Sequence, residues 1–499
     1  MSSSILATAQ AGLKVAQAGL LVTSQNVAGA SVEGFSRRDA NAVINRLAPN
    51  SGLLSGTSFA VDGFVRDHSF LLESQRMLQQ GKSSYSEALV QATEILDVII
   101  ADESNSLAVA TSQFFDAAGR LVGSPKSVAY LSDFTQKSEL VAQRVVGLAQ
   151  TITQVENDSR TALKNALDEA SVVSSKLAQI NIKIAAGFSS GNFSPSADYL
   201  DERDRLLMHL QKLVGGQSMI SADGTASHYL EGIPLVEGAF SNKFITDNLE
   251  GSVDQLQVEY TTYVPREPDS TSALVTNKSK QTVATNFIQG GEAGAYLKVV
   301  RDFLPDIGRR LDSVAMGLLK AVNTISPNAV FGFKTSNGEK VSNVASGGDT
   351  YVKDIPSISN SDSIYTIRNR LDPEHSTYTA TLTNLNAKNF ISMAPEDVRD
   401  WKLESDDAFS IEALRSTFND PIADVVAKVA NSISSWVGEN SANQSILGFL
   451  NDRRESIAGV NLDEEAANMV KFQQIYAASS RLIQTGNQMF ETLIAMVSR

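Results

Sequence analysis

The sequence predicts a multidomain α+β chain whose elongated shaft of long antiparallel helices is built from both halves of the chain. Paired, coiled-coil-like terminal helices close one end of that shaft, and two inserted β-rich outer domains leave it. Three observations carry this reading. Leu6, Leu13, Leu20 and Val27 stand seven residues apart at the start of the chain, and Ile475, Leu482, Met489 and Met496 repeat the spacing at its end. Apolar residues from Val141 to Ile184 advance in steps of three and four almost without a break. Two later stretches change to short alternating segments between turn residues. A spacing of seven keeps one seam of a helix facing a partner, whereas a solitary surface helix drifts off that period.

The two ends differ in kind. Between the N-terminal leucines lie Ala9, Gly12, Ala16 and Gly19, which admit a neighbouring backbone but bury little area, so this helix is marginal alone. The C-terminal helix carries a second row, Met469, Tyr476, Ile483, Phe490 and Val497, and Phe472 and Leu493 widen the stripe beyond what one neighbour covers. Asn461 and Glu464 have capping-box spacing, and Asp463, Glu464 and Glu465 suit the positive end of the helix dipole. Periodicity does not choose between one intramolecular hairpin and a seam between copies, because both bury the same stripe. The candidate interface is Leu6, Leu13, Leu20, Val27, Phe472, Ile475, Tyr476, Leu482, Ile483, Met489, Phe490, Leu493 and Met496.

From Asp67 to about Gly187 the pattern is helical, with Ser124-Pro125 read as a cap and a first-turn proline and Gly187 as a stop. The second part of this run is a helix of roughly 60 residues, about 90 Å long at the α-helical rise. A further helix, Asp198 to Leu213, precedes Gly215-Gly216, after which Asp223-Gly224, Glu231-Gly232 and Asn248 to Gly251 mark turns in a β-rich stretch. Helix returns from about Ala295, and a second β-like stretch runs from Val330 to about Ile411, with Ser336-Asn337-Gly338 as a turn and Thr377 to Leu382 as a strand. Asp420-Pro421 is read as opening the last long helices, which end near Gly459. The boundaries follow: a terminal pair from 1–38 with 460–499, a shaft from 39–214 with 287–327 and 418–459, and β-rich domains at 215–286 and 328–417. An order of helix, β, helix, β, helix means that the shaft is assembled from both halves.

Composition excludes several functions. The 499 residues allow roughly three or four domains. A net charge of -14 argues against nucleic acid, since phosphate binding needs clustered Lys and Arg, and it favours solubility before assembly. With no cysteine, disulfides, thiolate catalysis and cysteine-ligated zinc are excluded. No run is long enough for a membrane span, Ile95 to Ala101 being far too short. The N-terminus has neither the basic region nor the apolar core of a cleaved signal, so the protein is either cytoplasmic or exported by a route that reads none. His68, His209, His228 and His375 are scattered without metal-ligand spacing, Gly290-Gly291 with Gly294 lacks a dinucleotide fingerprint, and no phosphate loop exists. Those glycines are read as the joint where β returns to helix. Asp201 and Arg205, four apart, are read as a solvated intrahelical pair. No catalytic, metal or cofactor-binding residue is proposed, and the chain is not read as an enzyme.

Three motifs carry a resemblance. The segment from Gln25 to Arg37, with Asn26, Gly34, Phe35 and Arg37, resembles the asparagine-rich motif, ending in Gly-aromatic-Ser/Thr-Arg, that follows the first helix of bacterial flagellar axial proteins. It departs from that motif at Gly29 and Ser31, where asparagines are common. Gly459 to Glu465, continued by Phe472 to Tyr476 and Gln484-Thr485, is similar to the C-terminal signature of the hook-associated, hook-filament junction branch of the family. Leu200 to Leu207 is similar to a helical motif of the same branch. The resemblance implies a structural adaptor at the hook-filament junction that permits filament growth. It implies export through the flagellar type III channel without a cleaved signal, to an extracellular place in the flagellum. Implied partners are copies of the chain in a ring, the hook protein, a second junction protein (hook-associated protein 3) and an export chaperone at the C-terminal helix, with no nucleic acid, membrane or cofactor. A hook-type axial protein, disfavoured by the long shaft, and a cytoplasmic coiled-coil scaffold are the alternative readings.

Overall fold

The computed structural model describes residues 2–32, 34–46, 57–101, 106–189, 196–250, 253–263, 276–325, 330–334, 340–341, 387–393 and 405–497. They form a predominantly helical α+β fold with small antiparallel sheets. Helix α1 (Ser2–Gly29) is followed by an antiparallel hairpin of β1 (Arg38–Arg46) and β2 (Thr57–Arg66). The sequence reading placed these residues in the helical shaft. Val43-Ile44 and Phe59-Ala60-Val61 instead give the segment β propensity.

Next come α2 (Phe70–Ala101), α3 (Leu107–Gly123), α4 (Val128–Ser189) and α5 (Ala197–Val214). The Ser106 Oγ accepts a hydrogen bond from the Val109 N–H and caps α3. Pro125 lies in the link between α3 and α4, not in the first turn of α4, because Ser124 closes α3 through its N–H to the Leu121 carbonyl. The 62 residues of α4 run through Gly187 and span about 93 Å.

A four-stranded sheet of β3 (Gln217–Ile220), β4 (Ala226–Leu230), β5 (Ile233–Glu237) and β6 (Phe240–Ser241) follows. A three-stranded sheet of β7 (Lys243–Ile245), β8 (Gln255–Tyr263) and β9 (Thr276–Ala284) completes this excursion. Asn181 on α4 pins it, donating to the Ala226 and Gly238 carbonyls and accepting from the Ala226 N–H. Chain entry and exit touch backbone to backbone: a Cβ on Gly215 would lie 2.7 Å from Gly290 Cα, and Gly215, Gly216 and Gly291 all have positive φ. Glycine is required at this joint on both counts.

The return helix comprises α6 (Gly291–Lys298), a π-helical segment (Val299–Phe303) and α7 (Leu304–Ile325). Pro305, which has no N–H for the Arg301 carbonyl, follows the wider turn. Strands β10 (Phe331–Lys334), β11 (Lys340–Val341) and β12 (Phe390–Ser392) pair in the order β11-β10-β12. The expected strand from Thr377 to Leu382 and the turn at Ser336 to Gly338 lie outside the described residues. Phe331 and Phe390 stack, and Phe331 packs on Phe114 beside Phe134, which anchors this sheet to α3 and α4.

The last helices are α8 (Ser405–Ala413), α9 (Arg415–Ala458) and α10 (Leu462–Val497). Pro421 lies inside α9 instead of opening it. Buried Phe418 stacks on Phe115 and draws the preceding turn into the helix, offsetting the lost hydrogen bond at the proline. Two apolar cores result: one joins α2, α3, the first half of α4, α7 and α9, and the other joins the second half of α4 to α5 and the first sheets. Among the described residues no helix is long and apolar enough to cross a membrane.

Candidate assembly interface

The three motifs that are far apart in sequence meet at one polar junction. Asn26, near the end of α1, is buried. Its Nδ2 donates to the Arg38 carbonyl (2.9 Å) and to Glu465 Oε1 (3.0 Å), and its Oδ1 accepts from the Arg38 N–H (3.0 Å). The start of the hairpin and the start of α10 are thereby tied to the end of α1. Gly34 has φ of 81°, which turns the chain so that the Gly34 and Phe35 carbonyls accept from Arg454 of α9 (2.9 and 2.8 Å). Arg454 also reaches Glu73 on α2 at 3.3 Å. Arg37 pairs with Glu464 at 2.9 Å and lies 3.8 Å from Glu465, while its N–H donates to the Ala458 carbonyl.

The charged run on α5 completes this junction. Arg38 pairs with Asp198 (2.7 Å) and Asp201 (3.0 Å) and lies over the Phe35 ring. Arg66 from β2 pairs with Asp201 (2.8 Å) and Asp204 (2.7 Å). Burial opposes the charge on Arg66, but Asp204 and Asp201 outweigh it and hold the pKa above the ordinary arginine value. The expectation of a solvated Asp201–Arg205 pair is therefore corrected: Asp201 serves Arg38 and Arg66, and Arg205 pairs with Glu202. Arg38, Arg66, Glu73 and Arg454 were not singled out from the sequence. The adjacent arginines Arg37-Arg38 and the length of the charged run were the only local signals.

From this junction α1 and α10 run antiparallel. Gly12 faces Ser479 and Gly19 faces Phe472, where a Cβ would stand 2.6 Å from the Ser479 Oγ and 2.4 Å from the ring; Leu6 meets Gly486. The rows that close the seam are thus Gly12, Gly19 and Asn26 against Glu465, Phe472, Ser479 and Gly486, each with the seven-residue spacing. The period expected from the sequence is present, but the leucine row is not the row that closes this seam. Leu6, Leu13 and Leu20 are half-buried, as are Phe472, Ile475 and Ile483. Val27, Tyr476, Leu482, Met489 and Phe490 are exposed, Leu482 by 48%. The side chains of Leu493 and Met496 lie outside the described residues. Of the candidate interface residues, Leu6 and Phe472 lie against glycines of the facing helix, and Val27, Tyr476, Leu482, Met489 and Phe490 remain exposed. Small residues let the backbones approach, and that approach turns the larger side chains outward.

A cleft between α2 and α5 is lined by the pairs Glu73 with Arg76, Asp204 with Arg66, His209 with Glu169 and Lys212 with Glu292, and by Glu87, which accepts from Gln91. His228 is fully buried and bonded to Ser218, and burial pushes its pKa down to about 4. Among the described residues no cluster of three or more His, Cys, Asp or Glu could hold a metal ion.

A family model described as the flagellar hook-associated protein FlgK helical domain matches residues 93–339, and one described as the flagellar basal body rod FlgEFG protein C-terminal matches residues 454–496. The flagellar hook-associated protein 1 of Salmonella typhimurium is 21% identical over 566 residues, covering 99% of both chains. Those of Escherichia coli and Bacillus subtilis are each 22% identical, covering 99% and 98% of this chain and 99% and 97% of theirs. A solved structure of the flagellar hook junction protein FlgK from Burkholderia pseudomallei aligns with a TM-score of 0.43 and 18% identity, over 52% of this chain and 47% of that one.

Proposed function

We propose, since the chain belongs to the family of flagellar hook-associated protein 1 and is a structural component of the hook-filament junction of the bacterial flagellum, that it joins hook to filament through the open rows of its terminal helix pair. In this reading residues 1–38 with 460–499 form the inner tube of a ring of copies. The long helices of 39–214, 287–327 and 418–459 form an elongated shaft that also carries the β1–β2 hairpin, and the β-rich parts at 215–286 and 328–417, the latter ending in helix α8, lie outside. The hook protein abuts one side of the ring and a second junction protein, hook-associated protein 3, the other. Before assembly the exposed face of α10 is held by an export chaperone, and the chain leaves the cell through the flagellar channel with no cleaved signal. The work is mechanical; no step of it needs a catalytic group.

The observation that carries this reading is the division of labour on α10: one narrow row is closed by the glycines of α1, and Tyr476, Leu482, Met489 and Phe490 are left uncovered. Apolar surface of that extent gains free energy only when another molecule covers it. The test is Leu482→Asp. Because Leu482 is already half in water, the monomer should keep its helicity and melting temperature. On incorporation the carboxylate would lose its water without a counter-charge. Cells should then build hooks, carry few filaments and shed filament subunits into the medium, whereas Gln179→Asp, exposed on α4, should behave as wild type. A monomer unfolded by Leu482→Asp would place this residue in a core, and normal swimming would remove it from the joint.

A further inference from the structure

The joint where the first β-rich excursion leaves the shaft and returns to it encloses a histidine. His228 lies on β4, between β3 and β5, and is 0% exposed. Its Nδ1 is 3.0 Å from the Ser218 Oγ of β3. Gln211, in the last turn of α5, donates to the Gly216 carbonyl (3.0 Å) and to the Ser218 Oγ (3.4 Å), so one side chain of the shaft holds both the turn and the residue that holds the ring. Nε2 is buried without a hydrogen-bond partner and packs against Gly216, where a Cβ would stand 3.1 Å from it and 2.5 Å from the Tyr229 carbonyl. Gly215, one residue earlier, is in backbone contact with Gly290 at the return. Entry, exit and ring thus form one close-packed unit.

We propose that His228 is an acid-sensitive latch: the neutral ring closes the joint that docks the sheet β3–β6 on α5, and its protonation opens that joint. An imidazolium donates from both nitrogens. Here Ser218 is already engaged by Gln211 and Nε2 has nothing to donate to, so the charge is accommodated only when water enters between the sheet and the glycines. The charges around the joint are committed elsewhere. Strand β3 carries no titratable side chain, β5 carries only the exposed Glu237, and Tyr229 of β4 points to the opposite face. Lys212 of α5 pairs with Glu292 of α6, His209 of α5 pairs with Glu169 of α4, and Asp168 of α4 accepts from Thr246. At the far end of the hairpin Arg203 pairs with Asp204 and reaches the Gly224 carbonyl, and Asp223 accepts from Thr225. The proton affinity of the ring is therefore set by burial, which lowers its pKa from 6.5 to about 4, against the Gly215 carbonyl, which favours the charged form. In the open joint the ring regains its ordinary affinity for the proton. The closed joint is accordingly at full stability above pH 6.5 and loses stability as the pH falls from there to about 4.

Hydrogen exchange on the full-length chain reads the joint directly. Protection factors of the β3 and β4 amides, referred to those of α4 between Val141 and Leu177 in the same sample, should hold steady above pH 6.5. They should then fall on the order of a hundredfold by pH 4 and level off below it. In His228→Gln, which can still bond Ser218 but does not titrate, the ratio should stay flat across this range. In His209→Gln, which alters the half-exposed histidine of α5, it should fall as in wild type. A fall of wild-type size in His228→Gln overturns the proposal and assigns the loss to carboxylates, and a wild-type ratio independent of pH overturns it as well. Should Gln loosen the sheet at every pH, the imidazole C–H resonances of the wild-type chain decide. The resonance of His228 should keep its neutral position well below pH 6.5, while titration near 6.5 with β4 still protected would show that the ring takes up its proton without opening anything.

Discussion

Asp201 shows how one carboxylate can hold two segments that arrive from elsewhere. It accepts from Arg38 at the start of β1 and Arg66 at the end of β2, so it clamps both ends of the hairpin to α5. Its side chain and those of both arginines are nearly out of water. Removing one partner from such a group leaves charge that is desolvated but no longer compensated. Asp201→Ala should therefore destabilise the fold by about 3 kcal/mol, the low end of the usual range because Asp198 and Asp204 stay in place. Asp201→Asn, which keeps an acceptor, should lose less. The denaturant midpoint measures both, and an unchanged midpoint in Asp201→Ala would reduce the cluster to surface decoration. The sequence pointed to Asn26, Gly34, Phe35 and Arg37, and all four belong to the junction. It did not disclose Asp201, because the arginines that use it arrive on strands with no strong periodic signature.

At the scale of elements, long repeats were legible and single interruptions were not. Steps of three and four from Val141 to Ile184 gave α4 to within a few residues, since a continuous apolar stripe has one helical solution. Pro421 and Pro125 misplaced helix starts, because local proline rules yield to packing around Phe418 and to the Ser124 cap. The seven-residue beat at the ends was real, but the row that closes the seam could not be chosen. Large apolar side chains suggest contact, whereas the closest helix approach here is made by glycine. This has a direct consequence for Gly19, whose hydrogen points at the Phe472 ring. Gly19→Ala puts a methyl carbon 2.4 Å from ring atoms, so α1 and α10 must separate or the ring must turn. The variant should be cut faster than wild type after Lys471 and Arg481 by trypsin, while the rest of the chain persists. Phe472→Ala should restore room, and the double variant should be cut more slowly than the sum of the single effects implies. Additive rates would show that the two residues do not touch.

Across the whole molecule, protection from water is uneven in a way that matches the proposed division of labour. Helix α4 contributes buried side chains to both cores, from Leu131 and Phe134 to Leu177 and Ala178. Helix α9 is buried at Val425, Val429, Ile433 and Trp436, but beyond Trp436 it rests on α2 through Asn443 and Leu450. In α10 the buried side chains among the described residues are Glu465 and Ser479, neither of them apolar. Free energies of local opening follow buried apolar contact, so a single chain should open from α10 backward. In hydrogen exchange on the purified chain, amides of α10 should exchange more than about a hundredfold faster than those of α4 between Val141 and Leu177. Along α9 the rate should rise past Trp436. In assembled flagella the open rows of α10 gain their cover, and the same α10 amides should slow towards the α4 rate while α4 itself changes little. Equal protection of α10 and α4 in the free chain would mean that the glycine seam alone stabilises the terminal pair. The uncovered rows would then be surface, and the assembly reading would lose the observation that carries it.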